Sequence, residues 1–402
     1  MEDIVIVGAG IAGLATSLGL HRLGVRSVVL EAADRLRASG FALGIWANGW
    51  RALDAIGHFV KNTTELVGSV DFFLILIVVT SVDSGVQNAE LHFRDLHTQD
   101  DLEYRCVNRG VLLETLENEL PRGTSMYSSK VVHIQCEGRV KSLHLSDGTV
   151  LRTKVLIGCD GVNSVVSKFL GFSKPAYAGR TEVRGFVCFK DGHGFAPKFM
   201  QFFGEGVRFG VIPCDGCNVY WFLTFTPSSQ EKEMVKDPTK VKQLVLSKFG
   251  KASDKISRVF EETELENMAC AQIRFRYPWE MLWGNISKGN VCVLGDALHP
   301  MTRGVAQGGC SALEDNVVLA RLLVGALRRS DGDNEHHAVS EVLENMARER
   351  RWRCFDLISS LYIVGFMQQS DGVLLQFLRD KFMTGVVLKR ATFDCGDLAL
   401  EV

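Results

Sequence analysis

Three glycines near the start of the chain, in Gly8-Ala9-Gly10-Ile11-Ala12-Gly13, follow the spacing G-x-G-x-x-G. At this spacing the first glycine permits a tight turn and the second lets backbone approach a pyrophosphate. The third lets a helix pack closely on a strand. Glu31 ends the next apolar run, where a carboxylate accepts both hydroxyls of an adenosine ribose and repels a 2′-phosphate. Late in the chain Gly295-Asp296 precedes a loop of small residues that ends in Gly308-Gly309. Between them, Cys159-Asp160-Gly161 closes a third apolar run. Such a set suits a long ligand with a nucleotide at one end. The glycine pattern alone does not choose between NAD and FAD.

Each group needs a strand behind it and a helix ahead. Ile4-Val5-Ile6-Val7 is a continuous β-branched run, expected of a parallel strand buried on both faces. A helix with Leu14, Leu18, Leu20 and Leu23 follows, and then a strand over Ser27–Leu30. Val155–Ile157 predicts another strand, with Asp160 and Ser164 placed to cap the helix after it. The helix opening at Gly308-Gly309 carries Leu313, Val317, Ala320, Val324 and Leu327 on one stripe. A helix N-terminus bears about half a positive charge and free N–H groups, so it favours an anion. Open α/β sheets bind ligands beyond the carboxyl ends of their strands, where all three groups fall.

The 402 residues, 46% hydrophobic with a net charge of −2, allow two domains and exclude the basic footprint of a nucleic-acid binder. Eleven cysteines, among them Cys159, Cys188, Cys292 and Cys310, lack a disulfide framework's spacing and read as reduced thiols. The run Phe72–Val79 is eight residues, short of the roughly 20 that span a bilayer, and predicts a buried strand. No transmembrane segment is expected. A cytoplasmic protein fits these features, or an organellar one whose transit peptide has been removed.

The middle of the chain, from about Ala176 to Ser287, is rich in aromatic strands. Alternation over Val219–Phe225 sends Tyr220, Phe222 and Thr224 to one face and Trp221, Leu223 and Phe225 to the other. One face is expected to roof a pocket. Arg184 and Arg208 are its polar groups expected to reach a ligand. His299 reads as a structural hydrogen-bonder, and Cys214 with Cys217 as flanks of a hairpin turn at Asp215-Gly216. No metal site is expected.

GxGxxG near the N-terminus, C-D-G in mid-chain and G-D-A-x-H-P late, in this order, resemble the class A flavoprotein monooxygenases. That family includes p-hydroxybenzoate hydroxylase, salicylate hydroxylase and zeaxanthin epoxidase. The resemblance is strongest to plant salicylate-hydroxylase-like members, through "SGFALGIWANGWRALDAIG", "CVNRGVLLETLENELP" and "GDALHPMTRGVAQGGCSALED", and covers essentially the whole chain. It implies an α/β fold with a Rossmann-like FAD-binding domain, an interleaved substrate-binding β-sheet domain and C-terminal helices. The expected divisions are 1–70, 101–173 and 289–341 for FAD, 71–100 and 174–288 for substrate, and 342–402 for a helical tail broken at Ser370-Asp371-Gly372.

The resemblance also implies roles. Gly8, Gly10, Ala12 and Gly13 meet the pyrophosphate of a non-covalent FAD, Glu31 its adenosine ribose, and Arg109 its ribityl side. Asp160 serves FAD and the visiting nicotinamide, Asp296 takes a ribityl hydroxyl, and Gly308-Gly309 face the pyrimidine edge. NADPH or NADH is a transient co-substrate without a glycine-rich site of its own, bound near Asp160. It reduces FAD, O2 adds at flavin C4a, and the hydroperoxide passes oxygen to a small aromatic or conjugated substrate. The protein is expected as a monomer or homodimer.

Two positions depart from the family's H-P-M-T-P-x-x-G-Q-G-G: Arg303 stands for its proline and Ala306 for a glycine. Arg303, together with Arg184 and Arg208, is the candidate for holding an anionic substrate or steadying the reduced flavin. Two alternatives stay open. One is a flavin-binding protein without oxygenase turnover, a sensor or scaffold; the other is a same-fold epoxidase or reductase acting on an isoprenoid.

Overall fold

In a computed structural model the described residues are 1–37, 41–57, 76–81, 87–92, 104–204, 206–248, 254–303, 306–330, 334–367, 393–396 and 398. The apolar runs become a sheet of β1 (Glu2–Val7), β2 (Val28–Leu30), β7 (Ser125–Met126), β8 (Val131–Glu137), β9 (Val140–Leu145), β10 (Val150–Gly158), β16 (Ser287–Lys288) and β17 (Val291–Val293). Its order is β16-β17-β10-β1-β2-β7, with β8 and β9 attached through β10. Strands β17, β10, β1 and β2 are parallel, and Val7 pairs with Gly158, which pairs with Val293. Gly8, Cys159 and Leu294 therefore leave the sheet at one edge. Val5, Ile6, Leu156, Ile157 and Cys292 are wholly buried, as continuous apolar strands between two helical layers must be.

Strand β10 starts earlier than the expected Val155 because Val150–Thr153 pair antiparallel with β9. Strand β2 starts at Val28, while the Ser27 hydroxyl bonds that of Ser17 in helix α1 (Ile11–Arg22) at 2.8 Å.

Two short strands, β3 (Ala42–Trp46) and β6 (Tyr104–Asn108), pair antiparallel and lead into helices α2 (Ala47–Gly57) and α3 (Arg109–Asn118). A second sheet contains β4 (Leu76–Ser81), β5 (Gln87–His92), β11 (Ala176–Cys188), β12 (Lys198–Gly204), β13 (Val207–Pro213), β14 (Asn218–Phe225) and β15 (Met268–Phe275). Its order is β15-β11-β14-β13-β12-β4-β5, antiparallel but for β4 beside β12. The described part of the apolar run, Leu76–Val79, thus extends the aromatic sheet; Phe72–Ile75 lie outside the described residues.

Alternation on β14 holds. Trp221, Leu223 and Phe225 enter a core with Val241, Leu244 and Phe260, and the Trp221 indole N–H reaches Thr263 Oγ1 at 2.9 Å. Tyr220 and Phe222 turn to the other face.

Helix α4 (Val165–Phe169) follows β10, and α5 (Gly308–Arg329) follows the late loop and packs on α1, α2 and α6 (Glu335–Met367). The expected amphipathic stripe is only part of α5. Cys310–Ala320 is buried on every side, with Ser311, Glu314, Asp315 and Asn316 at 0% exposure. Ser311, Glu314 and Asp315 are tolerated because α6 brings them arginine partners, and Asn316 donates to Leu313 O within its own helix. Helix α6 runs continuously through the expected 341–342 boundary, and residues 370–372 lie outside the described residues.

Candidate functional site

Close packing explains two of the early glycines. Gly8 has φ +105°, and a Cβ there would lie 2.5 Å from Cys159 O; a Cβ on Gly13 would lie 1.9 Å from Gly8 O. A Cβ on Gly10 would meet nothing within 4 Å, because Gly10 borders open space. That space is a cavity of about 360 Å³. The first turns of α1 and α5 both reach it, and neither helix has a side-chain cap. Their free N–H groups present two positive helix ends to one cleft, an arrangement that fits a dinucleotide.

The cavity gathers Gly10, Ala12, Arg109, Asp296, Gly308 and Gly309 from the first sheet's edge, and Arg184 and Arg208 from the second sheet. Arg303 stands between the two. Gly8, Gly13, Glu31 and Asp160 are not in its wall. Glu31 holds the glycine loop from behind: its carboxylate accepts from Ala9 N at 3.0 Å and Ala33 N at 2.9 Å, and pairs with Arg37 at 2.7 Å. Burial pushes its pKa up, but Arg37 and the two amides outweigh that, so the carboxyl sits below its usual value. Asp160 accepts from Ser164 Oγ and, at 2.7 Å, from Val165 N, so its carboxylate starts α4 instead of facing the cavity. Burial raises its pKa against those bonds.

Arg109 opens α3, whose N-cap Asn108 accepts from Gly110 N at 2.8 Å, and its Nη1 donates to Arg37 O at 2.6 Å. Arg303 does not swing away to solvent: its Nη1 meets Glu182 Oε2 at 2.6 Å, although 48% of its side chain stays exposed. Arg184 Nε approaches the same oxygen at 3.3 Å. Arg208 donates to Arg303 O and Gln201 Oε1, both at 3.4 Å, and its guanidinium lies 5.1 Å from the Phe222 ring centre. The charged lining is four arginines against two carboxylates, Glu182 and Asp296, so the cavity favours an anion. Sequence reasoning missed Glu182, although strand alternation in "TEVRGF" puts it on the face of Arg184.

Ala306 adopts φ +53°, the left-handed region a glycine would occupy without penalty. The loop therefore keeps a glycine-like turn there at a cost of about 1–2 kcal/mol.

Behind the cavity lies a buried charge network. Asp315 accepts from Gly295 N at 2.9 Å, His299 Nε2 at 2.7 Å and Arg350 Nε at 2.7 Å, which pins the Gly295–Ala297 turn carrying Asp296. Glu314 pairs with Arg350 and Arg353, each at 2.7 Å. Against burial, His299 and Arg350 hold the Asp315 carboxyl far below its usual pKa, and Arg350 and Arg353 lower that of Glu314. His299, Asp315 and Cys354 are the one group among the described residues within metal-binding reach of one another, and there the Arg350 guanidinium already supplies the cation. At the Cys214–Cys217 turn, Asp215 Oδ1 takes the N–H groups of Cys217 and Asn218, while Cys214 Sγ turns to Cys106 Sγ at 3.2 Å.

Residues 1–352 match the FAD binding domain family. The chain is 47% identical to Monooxygenase 2 of Arabidopsis thaliana over 98% of both chains. It is 34% identical to Monooxygenase 1 of the same plant, over 99% of this chain and all of the other. Among solved structures, Klebsiella pneumoniae HpxO complexed with FAD and uric acid aligns with a TM-score of 0.79 at 21% identity, covering 97% of this chain and 96% of that one. No helix among the described residues is long and apolar enough to cross a membrane. With its glycine loop, Gly-Asp turn and uncapped helix ends at one cleft, the chain belongs to the FAD-binding-domain family of class A flavoprotein monooxygenases.

Proposed function

We propose that this FAD-dependent monooxygenase uses NAD(P)H and O2 to place one oxygen atom on an anionic aromatic or conjugated small molecule. The observation that carries the reading is the cavity itself, with two helix N-termini on one side and arginines among aromatic rings on the other. Gly10, Ala12, Gly308 and Gly309 hold the dinucleotide through backbone approach, with Gly8, Gly13 and Glu31 shaping the loop. Arg109 and Asp296, both in the cavity wall, would hold its ribityl side. Bound FAD would supply the redox chemistry of hydride acceptance and oxygen activation. Trp46, Tyr104, Phe199 and Phe222 wall the substrate and keep water out, and Arg184, Arg208 and Arg303 orient its anionic group. The nicotinamide would visit near Asp160, beside Gly161, which lines the cavity. In domain terms we assign 1–70, 101–173 and 289–341 to FAD binding, 71–100 and 174–288 to substrate binding, and 342–402 to a C-terminal helical region.

The test is substrate-stimulated NAD(P)H consumption over a panel of hydroxybenzoates, phenols and polyenes, with product mass read for one added oxygen. NAD(P)H oxidation unaffected by every compound would favour a flavoprotein without turnover. The purified protein should be yellow, and denaturation should release all of its FAD into the supernatant. Colour that stays with the precipitated chain would mean a covalent bond.

Arg303 gives a sharper check. Arg303→Met should weaken an anionic ligand about three- to tenfold, a charge-assisted bond discounted for exposure, and leave a neutral analogue unchanged. Equal binding of both ligands by variant and wild type would remove Arg303 from the site.

A further inference from the structure

The residue just before α5, Gln307, is 1% exposed, lines the cavity, and makes no side-chain cap to its own helix. Its amide oxygen accepts from Asn48 Nδ2 at 2.9 Å. Its Nε2 is buried and has no acceptor among the described residues. We propose that Gln307 is a hydrogen-bond donor to the flavin ring system, aimed by a relay of buried groups that begins at Glu314. The inference rests on the reading that the flavin ring lies at the start of α5.

An amide side chain can usually be turned end for end, so its direction needs a physical cause. Here the cause is a carboxylate. Glu314 is flanked by Arg350 and Arg353, which keep it ionised, so it only accepts. Asn48 must therefore face it with its NH2, and Nδ2 donates to Glu314 Oε1 at 2.6 Å. The second hydrogen of that NH2 goes to Gln307 Oε1. Turning Gln307 round would set one NH2 against another. Its own NH2 is thus held on the side away from Asn48, in a residue that lines the cavity, and no acceptor among the described residues offsets that donor's desolvation cost.

Two sources of acceptor meet at this cavity, the flavin and the substrate. The substrate's polar partners, Arg184, Arg208 and Arg303, come from the second sheet and the loop, whereas Gln307 is continuous with Gly308-Gly309. An oxidised flavin ring offers acceptors at its two carbonyls, N1 and N5, with N3–H its one ring donor, and on reduction it gains negative charge. A fixed donor is then worth more to the reduced form than to the oxidised form. Gln307 therefore binds FAD and raises its midpoint potential, and Asn48 is a positioning residue.

The experiment uses purified holoenzyme. Gln307→Met, close in shape but without a donor, should bind FAD about tenfold more weakly, shift its visible absorption bands and move the midpoint potential to a more negative value. Asn48→Ala, which leaves the Gln307 amide in place but unaimed, should move the potential the same way by less. Gln307→Asn, which retracts the amide, serves as a second donor-withdrawing variant if the Met variant does not fold. Wild-type FAD affinity and potential in folded donor-withdrawing variants would overturn the inference. A change confined to substrate affinity would overturn it too, by assigning the donor to the substrate. Wild-type protein that holds no FAD would instead overturn the flavin placement, and that result is read before any variant is made.

Discussion

Arg350→Met should lower stability by about 3–5 kcal/mol, seen as a large fall in the denaturant midpoint. The guanidinium is fully buried and bonded to both Glu314 and Asp315, so its loss leaves two carboxylates short of charge in the core. The same pair sets the acid limit of the wild type. Both carboxyls have folded pKa values below their unfolded ones, so the unfolded chain takes up protons first as pH falls. Their contribution is complete above the unfolded values of about 4 and is lost progressively below them. In Arg350→Met the carboxyls lose much of that depression, so wild type and variant should differ most near neutrality and converge in acid. A difference that stays constant from pH 7 to about 3 would show that the network does not carry this stability.

Paired glycine variants should separate cofactor binding from folding. Gly10→Val should leave the apoprotein folded, because its side chain enters open space, yet abolish FAD binding, because that space is the proposed approach of the pyrophosphate. Gly13→Val should damage both, since any Cβ collides with Gly8 O and the helix must move off the strand. Far-ultraviolet dichroism and thermal unfolding report the fold, and flavin titration reports binding. Full FAD occupancy in Gly10→Val would refute the placement of the pyrophosphate.

Periodicity made most of this legible. Unbroken β-branched runs such as Ile4–Val7 report a strand covered on both faces, and the alternation of Tyr220, Trp221 and Phe222 fixed which rings meet the cavity. The glycine spacing reported a backbone that must come close to something. Partnerships between distant residues were not legible. Nothing around Asn48 announces that it bridges Gln307 and Glu314, and nothing in "RERRWR" marks Arg350 and Arg353 as buried among their neighbours. Those contacts join α2, α5 and α6, and they depend on how helices cross. Asp160 taught a smaller lesson: a carboxylate at a strand's end can face a ligand or start a helix, and only the bonds to Ser164 and Val165 decide between them.

The register of the first sheet bears on how the chain is made. Strand β1 leaves the ribosome early, but its neighbour β10 is encoded some 150 residues later and β17 later still. At about 5–20 residues per second, the gap between Gly8 and Gly308 takes on the order of 15–60 seconds to translate. For about the first half of that interval, roughly 8–30 seconds, β1 lacks its partner β10 and the first glycine loop has no Cys159 to pack against; β10 then waits for β17. Vectorial synthesis therefore cannot finish the cofactor pocket domain by domain. FAD can capture the protein only once the start of α5 has been made, so cofactor supply acts on a late folding intermediate, the species that chaperones must keep from pairing its edge strand with another chain.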